Sequence, residues 1–322
     1  LDRELELMDE CMPYYYRLTG GHGTGSEFAM RAEAEFLRGN FPEAETLAHR
    51  AAFEAKSKNQ ASVYQCALFV LANTALASGD ETKLFDALFA MSESASANTE
   101  DMCRYTLSMF LGYIYAFTHR AGKIDGWIAG GNIGADRLAP MTVPFAHIVY
   151  AKALLERKEY AKLLAFCPFA CNAAAAIPSV LPQIYFNIFE CCANAALAND
   201  AKAEKSLKTA LSLAAADEIY MPFAQNYAGI KTVLGSVKQS PAYDIICRRG
   251  AEFEKSAAEI GLSGTRLSPR EREVAELIRC GLTNKQIAAR LYVSVSTVKM
   301  TVSNIFDKTG IRSRAQLSDI KI

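Results

Sequence analysis

Residues 267–317 read LSPREREVAELIRCGLTNKQIAARLYVSVSTVKMTVSNIFDKTGIRSRAQL, and the punctuation of this stretch decides how the C-terminal end of the chain folds. Three helix starts are marked by capping boxes: Ser268-Pro269-Arg270-Glu271, Thr283-Asn284-Lys285-Gln286 and Ser313-Arg314-Ala315-Gln316. In each, the hydroxyl can accept the third helical N–H while Glu or Gln reaches back to the cap's own N–H. Pro269 occupies the first helical position, where a missing donor costs nothing. Ser294 marks a fourth start, a hydroxyl cap without the reciprocal acid.

Apolar spacing gives each helix an inside. Val274, Leu277 and Ile278 form one stripe, ended by Gly281 as a left-handed stop. Ile287, Ala288 and Leu291 form the second, and Val298, Val302, Ile305 and Phe306 the third, at i, i+4, i+7 and i+8. Only Tyr292-Val293-Ser294 joins the second and third helices, so they must cross sharply. That is the helix-turn-helix arrangement, whose later helix enters a major groove. This recognition helix, about 295–308, leaves Ser296, Lys299, Met300, Ser303 and Asp307 on its outer face. Small hydroxyls beside a lysine suit close approach to base edges. Asp307 is the misfit, since phosphate repels a carboxylate; it lies at the far end, near Lys308.

The segment resembles the C-terminal domain of LuxR-type transcription regulators of bacteria. The resemblance is carried by Leu267 to Glu271, Gly281 to Ala288, Thr297 to Lys299 and Arg312 to Ala315. It implies contact with double-stranded DNA: bases touched by Lys299, Met300 and Ser303, phosphates by Asn284, Lys285, Thr297 and Arg314, with Ser296, Asn304 and Lys308 completing the candidate surface. It also implies a dimer on DNA through a fourth helix carrying Ala315, Leu317 and Ile320, although Leu317 and Ile320 could instead close the head's own core. RNA polymerase is a further partner of such regulators. Two positions depart from the family pattern: Thr301 stands where a histidine is usual, and Thr309 where a leucine is usual.

Charge agrees with this reading. The whole chain has 35 basic and 35 acidic residues. Residues 266–322 hold 11 Lys/Arg against 5 Asp/Glu, a net of +6, so residues 1–265 carry −6. A basic head on an acidic body is the footprint of a nucleic-acid module.

The preceding residues are too many for one ordinary core and lack strand-like alternation. Turn dipeptides fall at Gly39-Asn40, Gly79-Asp80, Ala121-Gly122, Lys158-Glu159 and Asn199-Asp200, spaced by 40, 42, 37 and 41 residues. Ala-rich helical pairs lie between them, such as Phe28 to Arg38 with Pro42 to Ala55, and Ile148 to Arg157 with Tyr160 to Cys167. A period near 40 with two helices per unit indicates an α-solenoid. The pattern resembles tetratricopeptide-like repeats, and its order before the head resembles the large ATP-dependent LuxR regulators of the maltose-activator type. The fold expected is therefore all-α: a repeat domain over 1–260, a linker over 261–266, and a four-helix head over 267–322. The chain opens at Leu1, and Met8, Met12 and Tyr14 to Tyr16 look like residues awaiting a neighbour. We expect the chain to be the C-terminal part of a longer protein, with any nucleotide switch upstream.

Trp127, Gly130-Gly131, Gly134, Pro140 and Pro144 interrupt the rhythm, predicting an irregular crossover over 120–145. A second break at Gly235 to Pro241 precedes a last helix from Tyr243 to about Ile260. Residues 163–189 carry no charge, but Pro168, Pro178 and Pro182 cut them into pieces too short to cross a bilayer. The nine cysteines form no CxxC pair and read as reduced, small hydrophobes of a cytoplasmic protein. Cys167 and Cys171, one turn apart, are the candidate redox pair.

Catalytic frames are missing from the sequence. Gly20 to Ser26 is glycine-rich but lacks the GK[ST] ending of a phosphate loop and reads as an interhelix loop. His22, His49, His119 and His147 are scattered. No catalytic residue, metal site or cofactor is expected. Two functions stand: a sequence-specific transcription regulator whose repeat domain receives a small-molecule inducer or a protein partner, and a solenoid adaptor with a secondary or decayed DNA-binding head.

Overall fold

The computed structural model describes residues 1–97, 101–134, 137–175, 179–262, 267 and 269–309. Among them there are helices and turns but no strand. The first half runs α1 (Asp2–Thr19), α2 (Ser26–Arg38), α3 (Phe41–Ser57), α4 (Ala61–Ser78), α5 (Glu81–Ala97) and α6 (Asp101–Phe117). A crossover with one short helix, α7 (Gly126–Ala129), leads to α8 (Val143–Glu156), α9 (Tyr160–Ala175), α10 (Leu181–Ala196) and α11 (Asp200–Ala214). Two single turns, α12 (Met221–Ala224) and α13 (Tyr227–Ile230), precede the long α14 (Tyr243–Leu262). The head contributes α15 (Pro269–Arg279), α16 (Asn284–Arg290) and α17 (Val295–Thr309).

Alanines set how closely the hairpins pack. In α3 the buried residues are Ala44, Ala48, Ala51, Ala52 and Ala55, one stripe at helical spacing. Side chains this small let α2, α3 and α4 approach until backbone nearly touches backbone. Gly25, at φ +93°, shows the limit: a Cβ there would sit 2.9 Å from the Ala51 carbonyl oxygen. Helix α4 is buried almost all round, from Ala67 to Ala77, because α2, α3, α5, α6 and α14 all pack on it. It has the length and hydropathy of a membrane span, yet most of it lies inside the core. The uncharged run 163–189 falls in two separate helices, α9 and α10.

Four of the five expected turns join the helices of a hairpin: Gly39-Asn40, Gly79-Asp80, Lys158-Glu159 and Asn199-Asp200. Ala121-Gly122 instead begins a 3-10 turn inside the crossover. The 40-residue rhythm continues there in sequence, but Trp127 and the glycines cannot build a second full helix. Gly20 to Gly25 form the loop between α1 and α2, four of the glycines taking positive φ. Met8 is buried, whereas Tyr14 is exposed.

The array does not stay open. After α11 the chain turns back, α12 packing on α2 and α14 on α4. The Tyr220 N–H donates to the Leu37 carbonyl at 2.8 Å, and Arg249 donates to the Gly39 carbonyl at 2.7 Å while its guanidinium covers Phe41. Gly250 makes this return tight, since a Cβ there would lie 2.4 Å from the Tyr227 ring. Between the halves, the Tyr113 and Tyr185 hydroxyls meet at 2.8 Å and both reach Gln225 Oε1, tying α6, α10 and the end of α12 in the core.

A second polar tie joins α6 to α8. Lys152, 5% exposed, places Nζ 2.8 Å from Glu156, which also meets His119 Nδ1 at 2.6 Å. Burial works to raise the Glu156 pKa, but the His119 hydrogen bond and the Lys152 charge outweigh it and lower it to about 2. The Glu156 hydrogen bond in turn raises His119.

Candidate nucleic-acid interface

The head is built on the stripes expected for it. Val274, Ala275, Ile278, Ile287, Ala288, Val298, Val302 and Ile305 form its buried core, ringed by Leu277, Leu282, Leu291, Val293 and Phe306. This core is separate from that of the repeat body.

Local chemistry sets the helix starts. The Thr283 box is complete: the Gln286 N–H donates to Thr283 Oγ1 at 3.3 Å, and the Thr283 N–H donates to Gln286 Oε1 at 2.8 Å. Ser294 caps α17, accepting the Thr297 N–H at 3.0 Å. Gly281, at φ +81°, ends the first head helix. Tyr292 also takes positive φ and is almost fully exposed, so the sharp turn between α16 and α17 rests on a strained non-glycine residue. The boxes at Ser268 and Ser313, together with Arg314, Ala315, Leu317 and Ile320 of the expected fourth helix, lie outside the described residues.

The remaining candidate residues divide into three groups. Ser296, Lys299 and Ser303 on α17, with Lys285 on α16, are exposed and face solvent together with the half-buried Asn284. Thr297 and Thr301 turn inward. The Thr297 hydroxyl meets Ser294 Oγ at 2.8 Å, and Thr301 donates to the Thr297 carbonyl at 2.9 Å. A threonine at 301 thus satisfies itself within the helix.

Met300, Asn304 and Lys308 form the third group. They line a cavity of about 250 Å³ whose other wall is α5 and α6 of the repeat body, including Phe85 and Phe89. Lys308 makes a 2.7 Å ion pair with Glu271, both side chains nearly buried, and its Nζ stands 4.2 Å from the Phe85 ring centroid. The Arg270 guanidinium lies 5.2 Å from the Phe89 centroid. Ser294 Oγ donates to Glu93 at 3.4 Å. One edge of α17 therefore rests on α5, and the adjoining strip of Lys299 and Ser303 remains open. The contact partners on α5 carry no cap or motif that singles them out in the sequence.

Elsewhere the candidate chemistry is inert. Cys167 is buried, and burial pushes its thiol and that of Cys171 up, Cys171 to about 11, away from a reactive thiolate. His147 is buried and its pKa lowered by that burial, and His49 pairs with Glu45 on the surface.

The family model GerE, described as bacterial regulatory proteins of the luxR family, matches residues 265–320. A putative HTH-type transcriptional regulator of Mycobacterium bovis is 47% identical over 53 residues, 16% of this chain and 6% of that protein. The response regulator Rre1 of Synechocystis is 50% identical over 50 residues, 16% of this chain and 22% of the relative. A probable transcriptional regulatory protein NarL of Mycobacterium tuberculosis is 33% identical over 123 residues, 33% of this chain and 55% of its own length. The C-terminal segment of the chain is thus a LuxR-type helix-turn-helix domain, and its relatives are named as transcriptional regulators. The chain spans between 6% and 55% of the length of these curated relatives. No solved structure matches it.

Proposed function

We propose that the chain is a sequence-specific, DNA-binding transcription regulator without enzymatic activity, acting in the cytoplasm, whose head is held in check by the repeat body. In this reading α17 enters the major groove, with Lys299, Met300 and Ser303 at base edges and Asn284, Lys285 and Arg314 at phosphates, while Thr297, expected among the phosphate contacts, is buried and engaged with Ser294 and so leaves that set. Ser296, Asn304 and Lys308 border that surface. The carrying observation is that one helix does two jobs: α17 exposes Lys299 and Ser303, while Lys308 stands over Phe85 and Met300 and Asn304 line the cavity shared with Phe85 and Phe89. A duplex long enough to engage the whole face would collide with α5, so binding requires the head to lift.

Such a lift is energetically modest. The docking contacts among the described residues include two cation–π approaches and one long hydrogen bond, each worth on the order of 1 kcal/mol. A ligand or protein partner on the repeat body that disfavours the docked state could therefore shift the population. The released heads would bind as a dimer through Ala315, Leu317 and Ile320, reading two half-sites, and RNA polymerase would be the downstream partner.

Fluorescence anisotropy on duplex DNA tests this with the full chain and with Phe85→Ala/Phe89→Ala. The double variant should bind more tightly, with the same sequence preference and a steep salt dependence. If neither protein distinguishes duplex sequences at any salt, the regulator reading falls and the adaptor reading replaces it.

A further inference from the structure

Between α2, α4, α6 and the start of α8 lies a cavity of about 640 Å³, within the size range of small-molecule sites. Its wall is apolar and aromatic. Phe69 stacks on Phe110 with centroids 4.1 Å apart, and Phe145 meets both edge-on. Three methionines that line it, Met30, Met102 and Met141, are 43%, 49% and 76% exposed. Exposed methionines are costly on a surface with no occupant, and their flexible thioethers mould to varied apolar shapes.

The charge of this wall is one-sided. Among its described residues there is one carboxylate, Glu33, and no Lys or Arg. Helix α2 carries two other glutamates in its described span, and both are partnered: Glu27 accepts from the Tyr16 hydroxyl, and Glu35 meets Arg38 and Asn40. Glu33 has no hydrogen bond or ion pair among the described residues. Water reaches it, yet protein surrounds it closely enough for burial to raise its pKa, with a smaller push from Glu4. The same crowding, with the Glu33 charge, pushes the Cys66 thiol on the facing helix up to about 12. Glu33 is solvent-exposed, so a cation seated beside it would gain an ion pair at the water-facing side of the cavity without any buried charge to relieve.

We propose that this cavity is a binding site for a small organic cation, an ammonium group carried on an aromatic or alkyl body, with Glu33 as counter-ion and the Phe69–Phe110–Phe145 wall and the methionines holding the body. Charge complementarity selects this occupant: an anionic ligand would meet Glu33 with no Lys or Arg among the described lining to receive it and His22 as the one basic group, and a neutral one would leave the carboxylate to water. The proposal deepens the control reading above and rests on it only for the effect on the head. The link is short, because α5, on which the head docks, is the segment joining α4 to α6.

Isothermal titration of the full chain with three compounds of one shape tests the site: 4-phenylbutylamine, 4-phenylbutanol and 4-phenylbutyrate. The amine should bind roughly tenfold more tightly than the alcohol, and the acid most weakly. Glu33→Gln should bring the amine down to the alcohol and leave the alcohol unchanged. Met141→Lys, at the exposed rim, should reverse the order in favour of the acid even if the Glu33 variant folds poorly. Equal binding of amine and alcohol, binding of none, or an amine preference that survives in Glu33→Gln would overturn the proposal. DNA anisotropy with and without the amine is read separately. Glu33-dependent binding with unchanged DNA affinity keeps the site and removes only its control of the head.

Discussion

The repeat body and the head are both helical, but they are held together differently. The body's main core is continuous from Ala32 to Ile260 and takes in more than stripes: whole helices such as α4 and α10 are buried nearly all round. Among the described residues the head encloses eight buried apolar side chains and relies on caps, a left-handed glycine and a strained Tyr292 to set its angles. The body's ends lock through a backbone hydrogen bond from Tyr220 to Leu37 and the Arg249 bond to the Gly39 carbonyl, whereas the described residues of the head meet the body through side chains such as Arg270, Ser294 and Lys308. The difference teaches that the body is held by its own closure, whereas the head is folded by local signals and meets the body along one edge of α17.

The strongest way to break that comparison is at the body's buried polar tie. Lys152→Met removes one of the two partners of Glu156 and leaves His119 as the other, which should cost about 1–3 kcal/mol. Urea unfolding followed by circular dichroism should show the loss in the body's transition. A head transition moving equally would deny the separation. The same tie makes a pH prediction. Glu156 is held near 2, below its ordinary 4.5, so its contribution is present above pH 4.5 and lost as pH falls toward 2. His119 is raised above 6.5, so its contribution is full below that value and fades as pH climbs through its folded pKa. Melting temperatures across pH 2–9 check both limbs.

The ring closure offers a second test. Gly250→Ala drives a Cβ into Tyr227 and should destabilise by about 1–3 kcal/mol, visible as a lower urea midpoint of the body's transition, while the head's own transition in the full chain is unmoved. If the substitution is silent, α14 does not seat on the body as tightly as described.

On the head, Lys299→Ala should weaken binding to a preferred duplex by about 1–3 kcal/mol and relax its sequence preference, whereas Lys285→Ala should weaken all duplexes alike. Anisotropy on a randomised panel separates the two. Retained affinity and preference in the Lys299 variant would move base reading elsewhere.

The smallest effect belongs to the cap. Thr283→Ala removes one hydroxyl acceptor and should cost the head about 1 kcal/mol, measured as faster amide exchange in α16, with the body untouched.

Much of the head was legible in sequence because its information is local. Thr283 and Gln286 find each other across one turn, Ser294 bonds three residues on, and Gly281 needs only its own φ. The stripes Val274–Ile278, Ile287–Leu291 and Val298–Phe306 share one small core, so spacing alone names its members. The hairpins of the body were legible for the same reason, through alanine stripes and turn pairs at a steady period.

What spacing could not supply was anything joining residues far apart in the chain. The return of α12 and α14 onto α2 and α4 depends on Gly250 fitting Tyr227 and on Arg249 reaching Gly39, side-chain fits that leave no periodic trace. Nor could it set Phe85 and Phe89 against Lys308 and Arg270, or leave Glu33 alone among apolar neighbours while Glu27 and Glu35 find partners. The sequence by itself determined the all-α class, the repeat rhythm and the helix-turn-helix, because helix capping and amphipathic burial act within a few turns. Tertiary structure alone decided the closure, the docked edge of α17 and the lone carboxylate of the cavity, because long-range packing depends on shape and on which charges meet.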